Sequence, residues 1–239
     1  MNVERNYDGK LLNEKTPFAI NEAFKMLRTN LFYTSKGEKC PVYGISSTFA
    51  NSGKSLVISN LAISFAQLGR KVLLLDCDLR NSVIHKIFGL EKANGMSDLL
   101  AGVSIESNSF IKNTGYENLS VITAGGTPPN PAELLASERT EMLISALKEH
   151  FDIIFIDLPP ILVVSDAAVI ADCVTGYLFA VRSNYDNKKN LKDAVDTMEQ
   201  TGAKIIGFVL NDVDIKSGKK YGKYGYGKYG KYGYGKTSY

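Results

Sequence analysis

Histidine is scarce in this 239-residue chain: His85 and His150 are the only two. A His-rich zinc site is therefore excluded. Cysteine is scarce as well. Cys40, Cys77 and Cys173 are odd in number and far apart, which rules out a disulfide framework and a CxxC metal site. Such sparing use fits a reducing cytoplasm. No apolar run approaches the ~20 residues needed to cross a bilayer. Residues 1–15 are polar and charged, without the apolar stretch of a signal peptide. Any membrane role is thus expected to come through a partner. Acidic residues are missing altogether from 216–239, which holds seven Lys.

That last absence splits the charge. The net charge is +3, from 28 Lys and Arg against 25 Asp and Glu. Removing the seven Lys of 216–239 leaves 21 basic and 25 acidic groups, about −4, on the first 215 residues. A mildly acidic body is a poor nucleic-acid binder, so no nucleic-acid partner is expected. With 44% hydrophobic and 22% charged residues the body should be globular.

Strand-like and helix-like runs alternate along that body. Strands are expected over 42–46, 71–76, 119–123, 152–157, 177–182 and 204–210. Helices are expected over 21–32, 55–68, 82–88, 131–135, 138–149, 165–171 and 187–201. "KVLLLD" and "DIIFID" are nearly continuous apolar runs, as in strands buried on both faces of a parallel sheet. Gly69 stands where a helix C-terminal glycine would. The pattern predicts an α/β fold: a doubly wound, mostly parallel sheet with helices on both faces. Residues 1–16 read as a flexible arm, 17–215 as the folded domain and 216–239 as a disordered tail of seven Gly, seven Lys and seven Tyr.

Three segments carry chemistry. "TFANSGKS" (48–55) lies between a strand and a helix and matches the phosphate-loop pattern G-x-x-x-x-G-K-[ST] at Gly53, Lys54 and Ser55, with Thr48 in place of the first glycine. Backbone N–H groups and the helix N-terminus would face phosphates there. Asn51, Ser52, Gly53, Lys54, Ser55 and Leu56 are the candidate nucleotide-binding residues. Lys54 would reach the β- and γ-phosphates, and the Ser55 hydroxyl would ligate Mg²⁺. "DCDLR" (76–80) ends a strand, where open α/β sheets bind ligands. Asp76 and Asp78, two apart, would share one side if the strand continued. They are candidates for Mg²⁺ ligand and general base. "FDIIFIDLPP" (151–160) has the Walker B form, with Asp157 helping to hold the metal.

Together these residues resemble the bacterial tyrosine kinases (BY-kinases) of capsule and exopolysaccharide export systems. "SGKS" resembles their Walker A, "LLLDCDLR" their Walker A′ and "IIFIDLPP" their Walker B. "GGTPPNPAELLAS" (125–137) is similar to another of their characteristic segments. "EAFKMLRTNL" resembles their E-x-x-R-x-x-R helix, through Glu22, Lys25 (where the family has Arg) and Arg28. "RNSVIH" lacks the proline often found after Walker A′.

The resemblance implies a P-loop protein-tyrosine kinase using ATP and Mg²⁺. Lys54, Asp76 and Asp78 would be catalytic, with Asp76 accepting the tyrosine proton. Ser55, Asp78 and Asp157 would surround the metal, and Asn211 would contact adenine. The tail tyrosines Tyr221, Tyr224, Tyr226, Tyr229, Tyr232, Tyr234 and Tyr239 would be autophosphorylated, with Glu22, Lys25 and Arg28 joining subunits into a homo-oligomeric ring. Further implied partners are a transmembrane adaptor and a phosphotyrosine phosphatase. The implied location is cytoplasmic, against the inner face of the membrane. Two other readings share the loop. Partitioning and septum-site ATPases carry K-G-G-x-G-K-[ST], but Phe49, Ala50 and Asn51 stand at K-G-G here. An ATP-gated scaffold without kinase activity would not need Asp76, Asp78 and Asp157 together.

Overall fold

A computed structural model describes Tyr7 and residues 9–35, 37–103, 110–183 and 185–213. The expected tail and its seven tyrosines lie outside them. The elements run α1 (Phe18–Thr34), β1 (Val42–Ser47), α2 (Lys54–Ala66), β2 (Val72–Asp76), α3 (Ile84–Phe88) and α4 (Met96–Ala101). They continue with β3 (Lys112–Asn113), β4 (Leu119–Ile122), α5 (Pro131–Leu135), α6 (Glu138–Lys148) and β5 (Ile153–Asp157). Last come α7 (Asp166–Val169), a 3₁₀ turn (Ala171–Cys173), β6 (Gly176–Arg182), α8 (Lys188–Gln200) and β7 (Ile205–Asn211). Among the described residues the strands form one sheet in the order β3-β4-β2-β5-β1-β6-β7. Every pairing is parallel except β3 with β4. The expected doubly wound sheet is what folds.

Alternation along the strands makes two cores. Leu73, Leu75, Cys77 and Leu79 face the side packed by α4 to α8, with Met96, Leu135, Ile144, Ala167 and Met198. Val72, Leu74, Tyr43, Ile45 and Phe155 face the side packed by α1 to α3, with Leu31, Ile58, Leu61 and Ile84. β1, β2 and β5 are buried along their whole length, which explains their unbroken apolar runs.

Several elements depart from the sequence expectation. The arm expected to be loose is held where it is described. Leu12 is 2% exposed in the second core. Its N–H donates to Asn60 Oδ1 at 2.7 Å, and Asn60 Nδ2 donates to the Lys10 carbonyl at 3.1 Å. One buried leucine and a two-way amide clasp outweigh the polar composition around them. The helix expected to reach residue 68 stops at Ala66, and Gly69 closes the following turn at φ 77°. α4 and β3 were not expected, being six and two residues long. So short a helix shows no period; it is fixed by Gly95, whose N–H donates to Asp98 Oδ2 at 2.9 Å, and by Gly102 at φ 76°.

Gly44 in β1 matters to the layer beneath the site. A Cβ there would lie 2.8 Å from the Tyr177 ring and 3.1 Å from Leu158. The missing side chain lets the fully buried Tyr177 ring lie against β1 and donate its hydroxyl to the Ala167 carbonyl at 2.8 Å. Gly44→Ala should therefore cost about 1–3 kcal/mol by over-packing. Urea unfolding measures this; an unchanged midpoint would mean the ring has room to move.

Candidate functional site

The parity that separates the cores also assembles the site. On β2 and its continuation, residues 72 and 74 face α2, so Asp76 and Asp78 fall on that side too. On β5, Ile153 and Phe155 face α2, and Asp157 follows them. Asp76 and Asp157 are direct partners in the parallel register. β2 ends at Asp76, yet the Cys77 N–H still donates to the Asp157 carbonyl at 2.9 Å, so the alternation persists into the loop. All three carboxylates are 3% exposed or less.

Residues 48–53 turn from β1 into α2. Asn51 (φ 71°) and Gly53 (φ 85°) are both left-handed. The position of the expected first glycine does not need one: Thr48 is fully buried and outside the left-handed region. Ser47 and Ser52 hydroxyls both donate to the Phe49 carbonyl, at 2.8 and 3.0 Å. At Gly53 a Cβ would overlap the Asn211 amide. Asn211, the last residue of β7, donates from Nδ2 to the Ser52 carbonyl at 3.0 Å. Besides the adenine contact expected of it, Asn211 thus has a second role, fastening the phosphate loop to the sheet. Ser55 is buried and Leu56 half-buried in the first turn of α2.

Lys54 is the hub. Its Nζ donates to Asp78 Oδ2 at 2.9 Å, Asp157 Oδ1 at 3.2 Å and Ser55 Oγ at 3.3 Å. Burial alone would lower its pKa, but Asp157 and Asp78 outweigh burial and hold it above the ordinary lysine value, fully charged. The carboxylates are less well served. Burial, then the Asp157 charge, pushes Asp76 well above the usual carboxylate range. Burial raises Asp157 too, against the pull of Lys54. Asp76 Oδ2 accepts the Ile84 N–H at 3.3 Å, but Asp76 Oδ1 and Asp157 Oδ2 are buried without a hydrogen-bond partner.

Three carboxylates around one ammonium leave an excess of negative charge, with orphaned oxygens. That donor set fits a hard divalent cation. Among the described residues no three His, Cys, Asp or Glu side chains converge enough to hold a metal alone. Mg²⁺ suits this, since it keeps water and phosphate oxygens beside one or two protein ligands. Ser55, Asp78 and Asp157 could hold it.

The remaining expected residues divide. Glu22 and Lys25 pair with each other on exposed α1 at 2.8 Å. Arg28 turns inward, donating to the Ser64 carbonyl and hydroxyl on α2. Around them Phe18, Met26, Phe32 and Tyr33 are more than half exposed. Two residues not expected to matter stand beside the site. Arg80 closes "DCDLR", and Asp166 opens α7, where "SD" reads as an ordinary helix start.

Comparison with known proteins agrees on one relationship. An AAA domain family model matches residues 45–202. The chain is 37% identical over 213 residues to the CapB protein of Staphylococcus aureus, covering 89% of this chain and 93% of that one. It is 37% identical to tyrosine-protein kinase CpsD of Streptococcus agalactiae, covering 91% and 93%. Against the Etk kinase of Escherichia coli K12 it is also 37% identical, over 84% of this chain but 27% of that much longer protein. Among solved structures, the E. coli Etk kinase domain superposes with a TM-score of 0.77 at 33% identity, covering 89% of this chain and 84% of that one. The chimerical protein CapA2B2 gives 0.76 at 34%, covering 82% and 85%. The Mg-ADP complex of the septum-site protein MinD from Pyrococcus horikoshii, at 24% identity and a TM-score of 0.60, shares the fold, covering 72% and 70%.

The raised carboxylates set a pH dependence. The folded state binds protons at Asp76 and Asp157 more tightly than the unfolded chain, whose Asp value is 3.8. Stability of the nucleotide-free protein therefore falls as pH rises from that value through the raised folded ones. Asp76→Asn removes one such charge and still offers an oxygen to the Ile84 N–H. It should melt above wild type at pH 7, by about 2–4 °C per kcal/mol gained. The gap should narrow toward pH 4.5. Thermal melts across pH without nucleotide test this, and parallel curves would refute it.

Proposed function

We propose how this chain, which belongs to the family of bacterial tyrosine kinases, uses its site: it transfers the γ-phosphate of ATP to tyrosines of its own C-terminal tail. The carrying observation is the cluster of Lys54, Asp76, Asp78 and Asp157 at the mouth of the phosphate loop. Lys54 is held charged by two carboxylates that an arriving phosphate would replace. The N–H groups of the loop and the first turn of α2 bind phosphate oxygens. When bound with ATP, Mg²⁺ supplies charge neutralisation and orientation, held by Ser55, Asp78 and Asp157. Asp76 has an unpartnered oxygen and a raised pKa, which suits a base that takes the tyrosine hydroxyl proton.

The substrate is the segment 216–239, with seven tyrosines on Gly and Lys. Twenty-four residues reach at most ~80 Å fully stretched. That reaches a neighbouring subunit in a homo-oligomer. The exposed apolar side chains of α1, with the Glu22–Lys25 pair among them, are the surface proposed to join such subunits. Each phosphotyrosine adds about −1.5 to −2 charges, so full modification carries the tail from +7 to roughly −3 to −7. Repulsion between modified tails would loosen the assembly, and a phosphatase would restore it. A transmembrane adaptor would bring the chain to the inner face of the membrane, where it would control capsular or extracellular polysaccharide synthesis and export. Among the described residues no helix is long and apolar enough to cross a membrane.

Incubation with ATP and Mg²⁺ followed by phosphotyrosine mapping tests the assignment. Label should appear on the tail and vanish in Lys54→Met, with the circular-dichroism spectrum unchanged. Replacing all seven tail tyrosines by Phe should also remove it while ATP is still bound. Phosphate release without label would indicate a partitioning-type ATPase, and neither product a scaffold. Phosphotyrosine persisting in Lys54→Met would sink the proposal.

A further inference from the structure

Backbone bonds from Leu158 and Ile161 N–H to the Ile45 and Ser47 carbonyls tie the segment that leaves Asp157 to β1, and three side chains anchor it further. The Ser46 hydroxyl donates to the Pro159 carbonyl at 2.8 Å. The Tyr177 hydroxyl donates to the Ala167 carbonyl in α7 at 2.8 Å. The third anchor is a salt bridge. Arg80 Nε and Nη2 donate to Asp166 Oδ2 and Oδ1, both at 3.0 Å. Asp166 is completely buried, and Arg80 takes both of its oxygens, while Arg80 itself is 40% exposed. The first two anchors come from strands β1 and β6 of the rigid sheet. The third comes from the loop that carries Asp78.

Arg80 lies two residues beyond Asp78. Asp78 gives Oδ2 to Lys54 and accepts the Asn81 N–H on Oδ1 at 3.0 Å. Its loop is thus tied to its own backbone and to the lysine it serves. The Arg80 fork ties it to a fixed part of the fold. A bidentate guanidinium–carboxylate contact sets angle as well as distance, which a lysine could not do. Gly44 admits the Tyr177 ring, Tyr177 fixes α7, α7 presents Asp166, and Asp166 fixes Arg80.

We infer that Arg80 and Asp166 form a positioning clamp that holds Asp78 at a set height beside Asp157, so that both carboxylates address Lys54 in the empty site and a divalent cation once nucleotide is bound. Neither residue touches the reacting atoms. The pair as a whole adds little to stability, because the desolvation of Asp166 offsets most of its attraction to Arg80. Its value lies in geometry, where a displacement near 1 Å costs up to about 100-fold in rate. The rate readout rests on the kinase proposal; the binding readout below does not.

The full-length chain is tested as Arg80→Ala, Arg80→Lys, Asp166→Asn and the double variant Arg80→Ala/Asp166→Asn. The double variant removes the unpaired buried charge, so it folds where Arg80→Ala alone fails. Two readouts are used: the kcat and KM for ATP in tail labelling, and the melting-temperature rise with ADP alone and with ADP plus Mg²⁺. The double variant should lose about 10- to 100-fold in kcat with KM changed less than about twofold. Its rise with ADP alone should match wild type, while the extra rise on adding Mg²⁺ shrinks. Arg80→Lys, keeping charge without the fork, should fall between. The double variant should be no slower than the slower single variant that folds. Wild-type kcat and Mg²⁺ response in the double variant would overturn the clamp. So would single losses that multiply, or a lost response to ADP alone. If wild type labels no tyrosine, the kinase proposal fails and the Mg²⁺ response alone decides on the clamp.

Discussion

One ammonium holds the site together, and it is outnumbered. Lys54 Nζ bridges Asp78 and Asp157 while Asp76, paired in register with Asp157, stands alongside with one oxygen unpartnered. Buried carboxylates at such spacing repel each other and resist ionisation. The surrounding fold must therefore hold them against their own preference. It does so with the least deformable part of the molecule, adjacent parallel strands buried along their length. The strain is local: the raised carboxylates lie around the lysine of the phosphate loop, where ligand charge can relieve it. A site that is under-neutralised when empty gains most from a ligand that brings a cation.

The same constraint explains the loops around the strands. Asp157 and Asp76 are fixed by strand register, but Asp78 and Lys54 are not. Lys54 depends on a turn with two left-handed residues, held down by Asn211 across Gly53. Asp78 depends on a loop whose outer contact is the Arg80 fork on buried Asp166. Groups from β1, β2, β5, β6 and β7 thus converge on one geometry. That convergence is why so many small or awkward residues near the site, such as Gly44, Gly53 and Asn211, have no substitute of ordinary shape.

Much of this was legible in the sequence, for a physical reason. A strand buried on both faces must be apolar throughout, so a terminal Asp on such a run is conspicuous, and period-two parity then decides which carboxylates share a face. Asp76, Asp78 and Asp157 were readable on those grounds, as Lys54 was from its place between strand and helix. What was not readable depends on partners far away in sequence. Leu12 looks like any residue of a polar arm until Asn60 is brought beside it. Asp166 reads as a helix start until Arg80, 86 residues earlier, reaches it. Arg28 sits within a motif read as an intersubunit surface, yet its guanidinium turns to Ser64 in its own fold. Short elements such as α4 escape because a single turn has no period; only its flanking glycines mark it.

Asn211 connects the site to the segment with the most unusual composition. It ends β7 and touches the phosphate loop, and the described chain stops two residues later at Val213. In sequence, the Lys- and Tyr-rich segment thus follows a strand whose last residue touches the phosphate loop. A cationic segment tethered next to an anionic cluster is drawn to it, and the same tether raises its local concentration there. Phosphate added to that segment reverses the attraction, since both partners then carry negative charge. The acidic body and the basic tail, which nearly cancel in the net charge of +3, are in this sense one device. Under the proposed function, the carboxylates that the chemistry requires would also draw the unmodified tail, and that attraction would end once the tail is phosphorylated.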